Sequence, residues 1–258
     1  MSFEIFNEDC ISGMSKLADG SVDSIICDPP FQSTDCAWDK RIPIEEMWEQ
    51  FNRVTKQNAA IVLFAQLPFA VDLINANRKM FRYEWIWSKP KACGFLNANR
   101  MPFRAHENIL VFYRALPTYN PQWSTGKPYT RAQRKEPRTR TSVYQGRGSS
   151  VTQNDGNHYY PRDVITFSPP VTNSKTEARI HPTQKPIALM EFLVKTYTNE
   201  YEIVLDATMG SGSTGVACVN TRRKFIGFET DKIFFAAAQK RLQAAERLHA
   251  QNLFIGAD

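Results

Sequence analysis

Short apolar runs alternate with helical segments along this chain, and that alternation limits the fold more than any other feature. Residues 22–27 and 59–65 are mainly apolar runs, and residues 43–57 between them carry apolar side chains at helical spacing. Strands that are apolar along most of their length are buried on both faces of a sheet, which is typical of parallel sheets. The sequence therefore predicts an α/β fold, in which helices cover both faces of a mostly parallel, twisted sheet.

The same alternation extends toward both ends of the chain. Further strands are predicted at 3–6, 83–87, 109–113, 202–205 and 224–228. Further helices are predicted at 11–17, 68–79, 186–197, 212–220 and 232–250. In the last helix, one side is expected to carry Phe235, Ala238, Leu242, Ala245 and Leu248. These helices would supply the layers that cover the predicted sheet.

Residues 115–170 interrupt the alternation and carry the positive charge of the chain. The 258 residues have a net charge of +6, and residues 115–150 hold seven basic side chains against one acid, Glu136. The basic residues are Lys127, Arg131, Arg134, Lys135, Arg138, Arg140 and Arg147. Basic side chains among aromatic rings are typical of surfaces that bind nucleic acid, and a solvated loop is the alternative. We divide the chain at these boundaries into residues 1–114, 115–170 and 171–258.

Cysteine, histidine and hydropathy patterns narrow the class of protein. Five cysteines and four histidines are scattered, without a C-x-x-C motif or the spacing of a metal site. No run approaches the ~18 apolar residues that a membrane span needs. We therefore expect a reduced cytoplasmic protein with no metal and no membrane partner.

The tetrapeptide Asp28-Pro29-Pro30-Phe31 directly follows the run at 22–27. A carboxylate, two rigid prolines and an aromatic ring at the carboxyl end of a strand form a polar pocket with one flat side. Such a pocket suits a planar base that carries an amino group. By itself the tetrapeptide is a weak signal, because Asp-Pro pairs are common in turns.

A second site is indicated downstream, where residues 203–231 follow the order strand, glycine-rich turn, helix, strand and acid. The turn contains Gly210, Ser211, Gly212 and Gly215. These glycines satisfy G-x-G-x-x-G, which lets the backbone approach a nucleotide cofactor at the start of a helix. The alternative is an ordinary corner between a strand and a helix.

Two acids indicate which cofactor this turn would bind. Glu229 stands at the end of the next strand, where a carboxylate can accept hydrogen bonds from ribose hydroxyls. Nicotinamide, flavin and S-adenosylmethionine sites share that feature. Asp206 precedes the glycines, where it would repel a pyrophosphate but attract an ammonium group. The position of Asp206 therefore favours S-adenosylmethionine.

Together, the two motifs resemble those of the β-class DNA amino-methyltransferases. The motifs are Asp28-Pro-Pro-Phe31 and Asp206-x-x-x-Gly210-Ser-Gly212, with further matches at Ser21-Val-Asp23, His106-Glu107 and His181-Pro-Thr-Gln-Lys-Pro186. The resemblance covers nearly the whole chain except about 115–170. It implies a Rossmann-like, S-adenosylmethionine-dependent methyltransferase fold with permuted motif order. Residues 1–114 would be its catalytic half, 115–170 an inserted target-recognition region, and 171–258 its cofactor-binding half.

The cofactor loop departs from the family pattern at two positions. The family usually has Asp-Pro-Phe-x-Gly-Ser-Gly, whereas Ala207 and Thr208 follow Asp206 in this chain. Without the phenylalanine, we expect altered packing on the methionine portion of the cofactor. Met209 is a flexible side chain that can fill irregular apolar space.

The resemblance also implies roles for individual residues. Asp28 and the Pro29 carbonyl would accept hydrogen bonds from the amino group of the base, with Pro30 fixing the backbone and Phe31 stacking on the base. Near the adenine ring of the cofactor, the resemblance places Asp9 and Cys10. Near its methionine end, the resemblance places His181, Thr183 and Lys185. For Asp9 the alternative is a helix N-cap, and for 181–185 a loop that caps the following helix. His106 and Glu107 are interpreted as structural.

The expected substrate is adenine N6 in double-stranded DNA, because Asp at the first motif position usually accompanies adenine in this family. A base in a duplex would have to flip out to reach the pocket. Cytosine N4 is the alternative, and Ser168-Pro169-Pro170 is interpreted as a turn rather than a cytosine-type motif. An RNA or protein-glutamine methyltransferase, an oxidoreductase and a non-catalytic DNA-binding protein are more remote alternatives. A homodimer and a cognate restriction endonuclease are further partners that the resemblance allows.

Overall fold

Strands and helices alternate along the part of the chain that the computed structural model describes, residues 2–32, 41–130, 153–154, 156, 158–171 and 177–255. The strands are β1 (Phe3–Phe6), β2 (Val22–Cys27), β3 (Thr55–Ala65), β4 (Phe81–Cys93), β5 (Arg104–Phe112), β6 (Tyr129–Thr130), β7 (Gln153–Asn154), β8 (Val164–Thr166), β9 (Ile203–Asp206) and β10 (Lys224–Phe228). The helices are α1 (Cys10–Met14), α2 (Ile44–Val54), α3 (Phe69–Ala76), α4 (Ile187–Tyr197), α5 (Ser213–Asn220) and α6 (Lys232–Ile255). A 3-10 turn at Phe95–Asn97 lies between β4 and β5.

The main sheet has the strand order β1-β10-β9-β2-β3-β5-β4-β8. Strand β5 is antiparallel to both of its neighbours, β3 and β4, whereas the other neighbouring pairs are parallel. The prediction of a mostly parallel α/β sheet is therefore confirmed.

Helices cover both faces of this sheet because its central strands are apolar on both sides. In β2, Ile26 packs into a core formed with α4, α5 and α6, whereas Ile25 and Cys27 pack into a second core formed with α1, α2 and α3. The same alternation follows β3, where Val62 and Leu63 face opposite cores. Adjacent side chains of a strand point to opposite faces, so continuous apolar runs produce a three-layer fold.

The centre of the sheet contains a topological switch point. Strands β2 and β9 are neighbours, but the chain leaves β2 toward β3 on one side and leaves β9 toward β10 on the other. Parallel strands that diverge in this way open a crevice at their carboxyl ends, where α/β proteins bind ligands. The tetrapeptide after β2 and the glycine-rich turn after β9 both begin at that crevice.

Residues 121–162 form a second compact unit, separate from the unit of residues 1–120 and 163–258. Its described part contains the antiparallel pair β6 and β7 and a bridge between Ser124 and Tyr159. Residues 164–166, which the sequence analysis included in the inserted region, form β8 and pair with β4 in the main sheet.

Several element boundaries differ from the predicted ones for local reasons. The predicted helix at 43–57 ends at Val54, where the backbone of Thr55 becomes extended while its hydroxyl donates to the Phe51 carbonyl at 2.6 Å. Strand β3 consequently begins at Thr55 rather than at residue 59. The helix predicted at 11–17 is shorter, and β4 and β5 are longer than predicted.

The residues predicted along one side of the last helix differ in exposure, since Ala238, Leu242 and Ala245 are buried whereas Leu248 is 61% exposed. Helix α6 has 24 residues, so it is about 36 Å long and extends past the five-residue strand β10. Within the described residues, none of the helices combines the length and the apolar character of a membrane span.

Candidate active site

A cavity of about 440 Å³ lies at the carboxyl ends of β2, β9 and β10. All of the predicted catalytic and cofactor-binding residues except Gly212 line it: Asp9, Cys10, Asp28, Pro29, Pro30, Phe31, His181, Thr183, Lys185, Asp206, Gly210, Ser211 and Glu229. Cavities of this size accommodate small molecules. The switch point thus brings together two motifs that are about 180 residues apart in the sequence.

The two carboxylate oxygens of Asp28 have different surroundings. Oδ2 accepts a hydrogen bond from the Lys185 ammonium group, in an ion pair in which the Lys185 side chain is only 8% exposed. Oδ1 is buried and has no hydrogen-bond partner among the described groups. A buried acceptor without a partner is costly, so Oδ1 is suited to a donor that a ligand supplies. Burial raises the pKa of the Asp28 carboxyl, and the Lys185 ammonium opposes that effect.

Asp28 is the first member of a chain of alternating charges. Behind it, Lys185 Nζ lies 3.5 Å from Glu107 Oε2, and the Lys89 ammonium group donates to Glu107 Oε1. Although burial works against its charged form, the two lysines hold the pKa of Glu107 below its ordinary value. Despite burial, the carboxylates of Asp28 and Glu107 keep the pKa of Lys185 raised. The four groups therefore balance one another as two anions and two cations.

This chain of charges adds two observations to the sequence interpretation. Lys185, which was expected at the methionine end of a cofactor, lines the cavity and also contacts Asp28 directly. Glu107 was interpreted as structural, but it lines the cavity as well as pairing with lysines. A buried lysine between two motifs gives no periodic signal in a sequence, so spacing alone could not identify this contact.

Thr208 connects the two motifs, and the sequence analysis did not include it among the site residues. Its hydroxyl donates to the backbone carbonyl of Asp28 at 2.9 Å and lies 3.2 Å from Cys27 Sγ. Thr208 occupies the position where the resembling family usually has phenylalanine. The departure noted in the sequence therefore places a hydrogen bond, rather than an aromatic ring, between the glycine-rich loop and the tetrapeptide.

Asp206 braces the glycine-rich loop from inside. Its Oδ1 accepts from the Thr208 backbone N–H at 3.1 Å, and its Oδ2 accepts from the Thr214 hydroxyl at 2.5 Å. Burial raises the pKa of Asp206 to about 7, so the carboxyl is poised to change charge near neutral pH. A ligand ammonium group would favour its charged form.

The glycines of the loop have distinct tasks. Gly210 has a φ of 51° and lines the cavity, whereas Gly212 has a φ of 78° and begins α5 against α6. A Cβ atom at Gly212 would lie 2.9 Å from Leu242 Cδ1 and 3.0 Å from Ala238 Cβ. Gly212 therefore serves the packing of α5 against α6, and it is not among the residues that line the cavity.

Helix α6 also holds the backbone of the loop. Arg241 Nη1 donates to the Ser211 carbonyl at 2.6 Å and lies 3.0 Å from the Ser211 hydroxyl. Arg241 was not identified from the sequence, where it looks like any other basic residue on a long helix. The arginine and the packed glycine together fix the curvature of the loop.

Glu229 lies at the end of β10 and faces the other side of the cavity. Its Oε1 accepts from the Asp231 N–H at 2.8 Å, and the Gly210 backbone also donates to the carboxylate. Burial raises the pKa of Glu229. The carboxylate is half-buried and therefore retains a face for a ligand.

Asp9 and Cys10 form the wall beside Glu229. Asp9 Oδ1 accepts from the backbone N–H groups of Ile11 and Ser12, both at 3.0 Å, so the N-cap alternative is confirmed, although Asp9 also lines the cavity. Burial raises the pKa of Cys10 to about 12, so its thiol stays neutral at physiological pH.

His181 and Thr183 close the cavity near Gly210. His181 Nδ1 accepts from the Thr183 N–H at 3.2 Å, and burial lowers the pKa of His181 to about 4. The imidazole is therefore neutral at neutral pH. The alternative role for this segment, capping α4, falls instead to Glu177, whose carboxylate oxygens both lie 3.2 Å from the Ile187 N–H.

Phe31 forms an aromatic wall of the cavity next to Asp28. Its ring packs against Phe69 with a centroid distance of 5.3 Å, so its orientation is fixed. By contrast, Ser168 is exposed and does not line the cavity, which agrees with its interpretation as part of a turn.

The predicted DNA-binding residues are described only in part. Lys127 is exposed in the unit of residues 121–162. The remaining residues, Arg131, Arg134, Lys135, Arg138, Arg140 and Arg147, lie outside the described residues.

Comparison with known protein families decides which class of protein has this cavity. Residues 22–240 match the family model N6_N4_Mtase, described as DNA methylase. The chain belongs to this DNA methylase family. The predicted family is therefore confirmed, and the match includes both the tetrapeptide and the glycine-rich loop.

Individual members of the DNA methylase family align along most of the chain. The type II methyltransferase M.HpaI of Haemophilus parainfluenzae is 26% identical over 257 residues, which is 95% of this chain and 75% of that protein. The type II methyltransferase M.BglII of Bacillus subtilis is 29% identical over 258 residues, 93% of this chain and 68% of that protein. The DNA adenine methyltransferase YhdJ of Escherichia coli (strain K12) is 27% identical over 265 residues, 96% and 85% of the two chains.

Solved structures share the fold. The M1.HpyAVI–SAM complex has a TM-score of 0.64 and 26% identity, covering 93% of this chain and 98% of its own. The PvuII DNA methyltransferase, which is cytosine-N4-specific, has a TM-score of 0.66 and 15% identity, covering 97% of this chain and 92% of its own. At that identity the second comparison supports the fold alone.

Proposed function

We propose that this DNA methylase transfers a methyl group from S-adenosylmethionine to the N6 amino group of a flipped adenine in double-stranded DNA. The observation that carries the proposal is Oδ1 of Asp28, which is buried beside a cavity and has no hydrogen-bond partner within the described part of the chain. An amino group of a base is a donor that fits this acceptor. The proposal is finer than the family, which includes methylation of both adenine and cytosine.

The residues around the cavity fit S-adenosylmethionine. Glu229 offers a half-buried carboxylate for ribose hydroxyls, and Asp206 offers a carboxylate with a raised pKa for an ammonium group. Gly210 lets the backbone approach the ligand between them. When bound, S-adenosylmethionine supplies an electrophilic methyl group. The M1.HpyAVI structure, a complex with SAM, supports this choice of cofactor.

Asp28 would make the amino group of adenine a better nucleophile. The nitrogen lone pair is delocalised into the ring, so the free base reacts poorly. A hydrogen bond from one N–H to Asp28 Oδ1 and another to the Pro29 carbonyl favour a pyramidal nitrogen with a localised lone pair. Since Lys185 occupies Oδ2, the carboxylate presents Oδ1 in one orientation.

Phe31 and the two prolines would position the base. Pro29 and Pro30 restrict the backbone, and Thr208 holds the preceding carbonyl of Asp28. The ring of Phe31, supported by Phe69, provides a flat surface for stacking. Alignment and electrostatics would therefore supply most of the rate enhancement. Methylation would first leave N6 as a positively charged ammonium group, which is acidic and loses its extra proton to solvent without a strong base.

Adenine is preferred over cytosine because Asp28 stands at the first position of the tetrapeptide. YhdJ, whose name specifies adenine, supports this choice at 27% identity. Cytosine N4 remains the second candidate. The basic residues of 115–150 would bind the phosphates of the DNA, and a few arginines would read guanine edges.

The proposal is tested by finding which base of an unmethylated plasmid receives the methyl group from labelled S-adenosylmethionine. After incubation with the purified protein, the DNA is digested to nucleosides and separated by chromatography with mass detection. We expect the label in N6-methyldeoxyadenosine. Label in N4-methylcytosine would contradict adenine as the substrate, and unlabelled DNA would contradict DNA methylation itself.

Calorimetry separates the remaining cofactor alternatives. The protein is titrated with S-adenosylmethionine and, in a parallel experiment, with NAD. We expect binding of S-adenosylmethionine only, because Asp206 disfavours a pyrophosphate. Binding of NAD alone would favour an oxidoreductase.

A further inference from the structure

A hairpin arm, residues 88–106, extends β4 and β5 beyond the rest of the main sheet. The strands pair at Ser88 with His106 and again at Cys93 with Arg104, with an irregular register between these pairs. From residue 90 to residue 106 every side chain is exposed, except that Gly94 and Asn97 are half-buried. The arm therefore stands out from the protein with little support from other elements.

The arm has an apolar tip. Phe95 is 76% exposed and Leu96 is 84% exposed, and both belong to the 3-10 turn. Met101 and Phe103, in the segment between that turn and β5, are 50% and 52% exposed. Single exposed apolar side chains are common, but four within nine residues form a patch of the kind that marks an interaction site.

The same arm is strongly basic. Residues 88–106 contain four basic residues, Lys89, Lys91, Arg100 and Arg104, and no aspartate or glutamate. Two copies of this patch would repel each other if they were placed face to face. A polyanion with apolar surface between its charges complements both properties, and duplex DNA with its stacked bases has that character.

The root of the arm borders the cavity. Lys89 pairs with Glu107, and Arg104 Nη1 donates to Gln66 Oε1 at 3.0 Å. Both Glu107 and Gln66 line the cavity. Because β4 is in the same direction as β2 and β3, its end and the arm lie at the same edge of the sheet as Asp28.

We infer that the hairpin arm docks on duplex DNA and inserts Phe95 and Leu96 into the base stack, where they hold the helix open while the target base occupies the cavity. This inference rests on the proposed function. When a base flips out, it loses its stacking on the neighbouring bases. An apolar side chain inserted in its place offsets part of that free-energy cost. The exposed basic residues of the arm, Lys91 and Arg100, contact the neighbouring phosphates.

The test compares a matched duplex with a mismatched one. The methylated site is first located by single-molecule sequencing of DNA treated with the wild-type protein. Two short duplexes then carry that site, one with a correct pair and one with a mismatch opposite the target base. A mismatched base flips at a lower cost, so its methylation depends less on a wedge.

Three variants are measured on both duplexes. Phe95→Ala/Leu96→Ala removes the tip, and Phe95→Trp/Leu96→Met keeps a large apolar tip. The control is Tyr201→Ala/Leu248→Ala, which removes two side chains that are 67% and 61% exposed elsewhere on the protein. Melting temperatures and sedimentation of each variant establish its folding and oligomeric state.

The Phe95→Ala/Leu96→Ala variant is expected to methylate the matched duplex about tenfold more slowly, and the mismatched duplex within about threefold of wild type. The other two variants should resemble wild type on both. An equal loss of methylation rate on both duplexes, or no loss on either, would overturn the inference. Conversion of a dimer to a monomer by Phe95→Ala/Leu96→Ala would also overturn it, because the arm would then bind a second copy of the protein. A wild-type protein that methylates no DNA would instead contradict the proposed function.

Discussion

At the scale of single residues, the site depends on an asymmetric carboxylate. Lys185 occupies one oxygen of Asp28, and the other oxygen is buried with no partner among the residues that the structure describes. The charged groups around Asp28 are Lys185, Glu107, Lys89 and Asp206. Of these, Lys185 makes the direct contact, so we regard it as the residue that positions Asp28 and keeps it ionised.

Replacing Lys185 by methionine should lower kcat at neutral pH by about tenfold. Burial raises the pKa of Asp28, and without the ammonium group nothing in direct contact opposes that effect. The carboxylate would then form only at higher pH, so the acidic limb of the kcat profile should move upward in pH. Methylation rates from pH 5 to pH 9 measure the shift.

The control for this change is Lys185→Arg, which keeps a cation beside Asp28. It should return the acidic limb toward its wild-type position, while the affinity for S-adenosylmethionine stays unchanged in calorimetry. An unaltered pH profile in Lys185→Met, with lost cofactor affinity, would instead place Lys185 at the methionine end of the cofactor.

Thr208 offers a second test at this scale. Thr208→Val keeps the shape of the side chain but removes the donor to the Asp28 carbonyl. We expect a loss of about 1–3 kcal/mol in the free energy of unfolding and a fall of about tenfold in the single-turnover rate. Thr208→Ser keeps the hydroxyl, so its free energy of unfolding and its single-turnover rate should both be close to those of wild type. Chemical denaturation and rapid-quench kinetics provide the two values.

The sequence predicts the residues of the cavity better than it predicts their contacts. Asp28 and Glu229 each follow an apolar strand, so their positions at one edge follow from the fold. The contacts of Lys185, Thr208 and Arg241 depend on side chains meeting across long sequence separations. Neither apolar periodicity nor local propensity encodes contacts between residues so far apart in the sequence.

At the scale of elements, the glycine-rich loop depends on α6 as much as on its own sequence. Arg241 holds the Ser211 carbonyl, and Gly212 leaves no room for a side chain next to Ala238. In the G-x-G-x-x-G pattern, Gly212 thus serves packing against α6, whereas Gly210 lines the cavity. Element boundaries were predicted less well, because α2 ends at a local change of backbone conformation at Thr55 that apolar periodicity does not encode.

Gly212→Ala should destabilise the protein by about 2–4 kcal/mol, since strain at positive φ adds to the clash with α6. Gly20→Ala is a matched control, because Gly20 has a φ of 61° and, apart from its two chain neighbours, no described residue lies within 4 Å of the added Cβ. The control should cost only about 1–2 kcal/mol. If chemical denaturation gave the same loss of unfolding free energy for both variants, the contact between the loop and α6 would contribute nothing to stability.

At the scale of the whole molecule, permuted motifs meet at the switch point between β2 and β9. The sequence predicts this arrangement, because carboxyl ends of parallel strands share an edge. It could not predict that β8 returns to the sheet after the inserted region, since three residues carry too little pattern to be recognised as a strand.

The basic residues of 115–150 should dominate the affinity for DNA. Neutralising Arg138 and Arg140 together to glutamine should weaken binding and reduce the slope of log Kd against log salt by about 1.8. Arg78→Gln/Arg247→Gln, at two exposed arginines elsewhere, should leave that slope close to wild type. Fluorescence anisotropy at several salt concentrations gives the slopes. Unchanged binding by Arg138→Gln/Arg140→Gln at every salt concentration would contradict the assignment.

The most direct measurement is the amount of N6-methyladenine formed in a single turnover by wild type and by Asp28→Ala, at saturating S-adenosylmethionine. If Asp28 is the acceptor for the adenine amino group, the wild type forms N6-methyladenine, and the variant forms it at least about 100-fold more slowly while cofactor affinity is retained. Equal rates for the two proteins, or N4-methylcytosine as the wild-type product, would contradict the proposal.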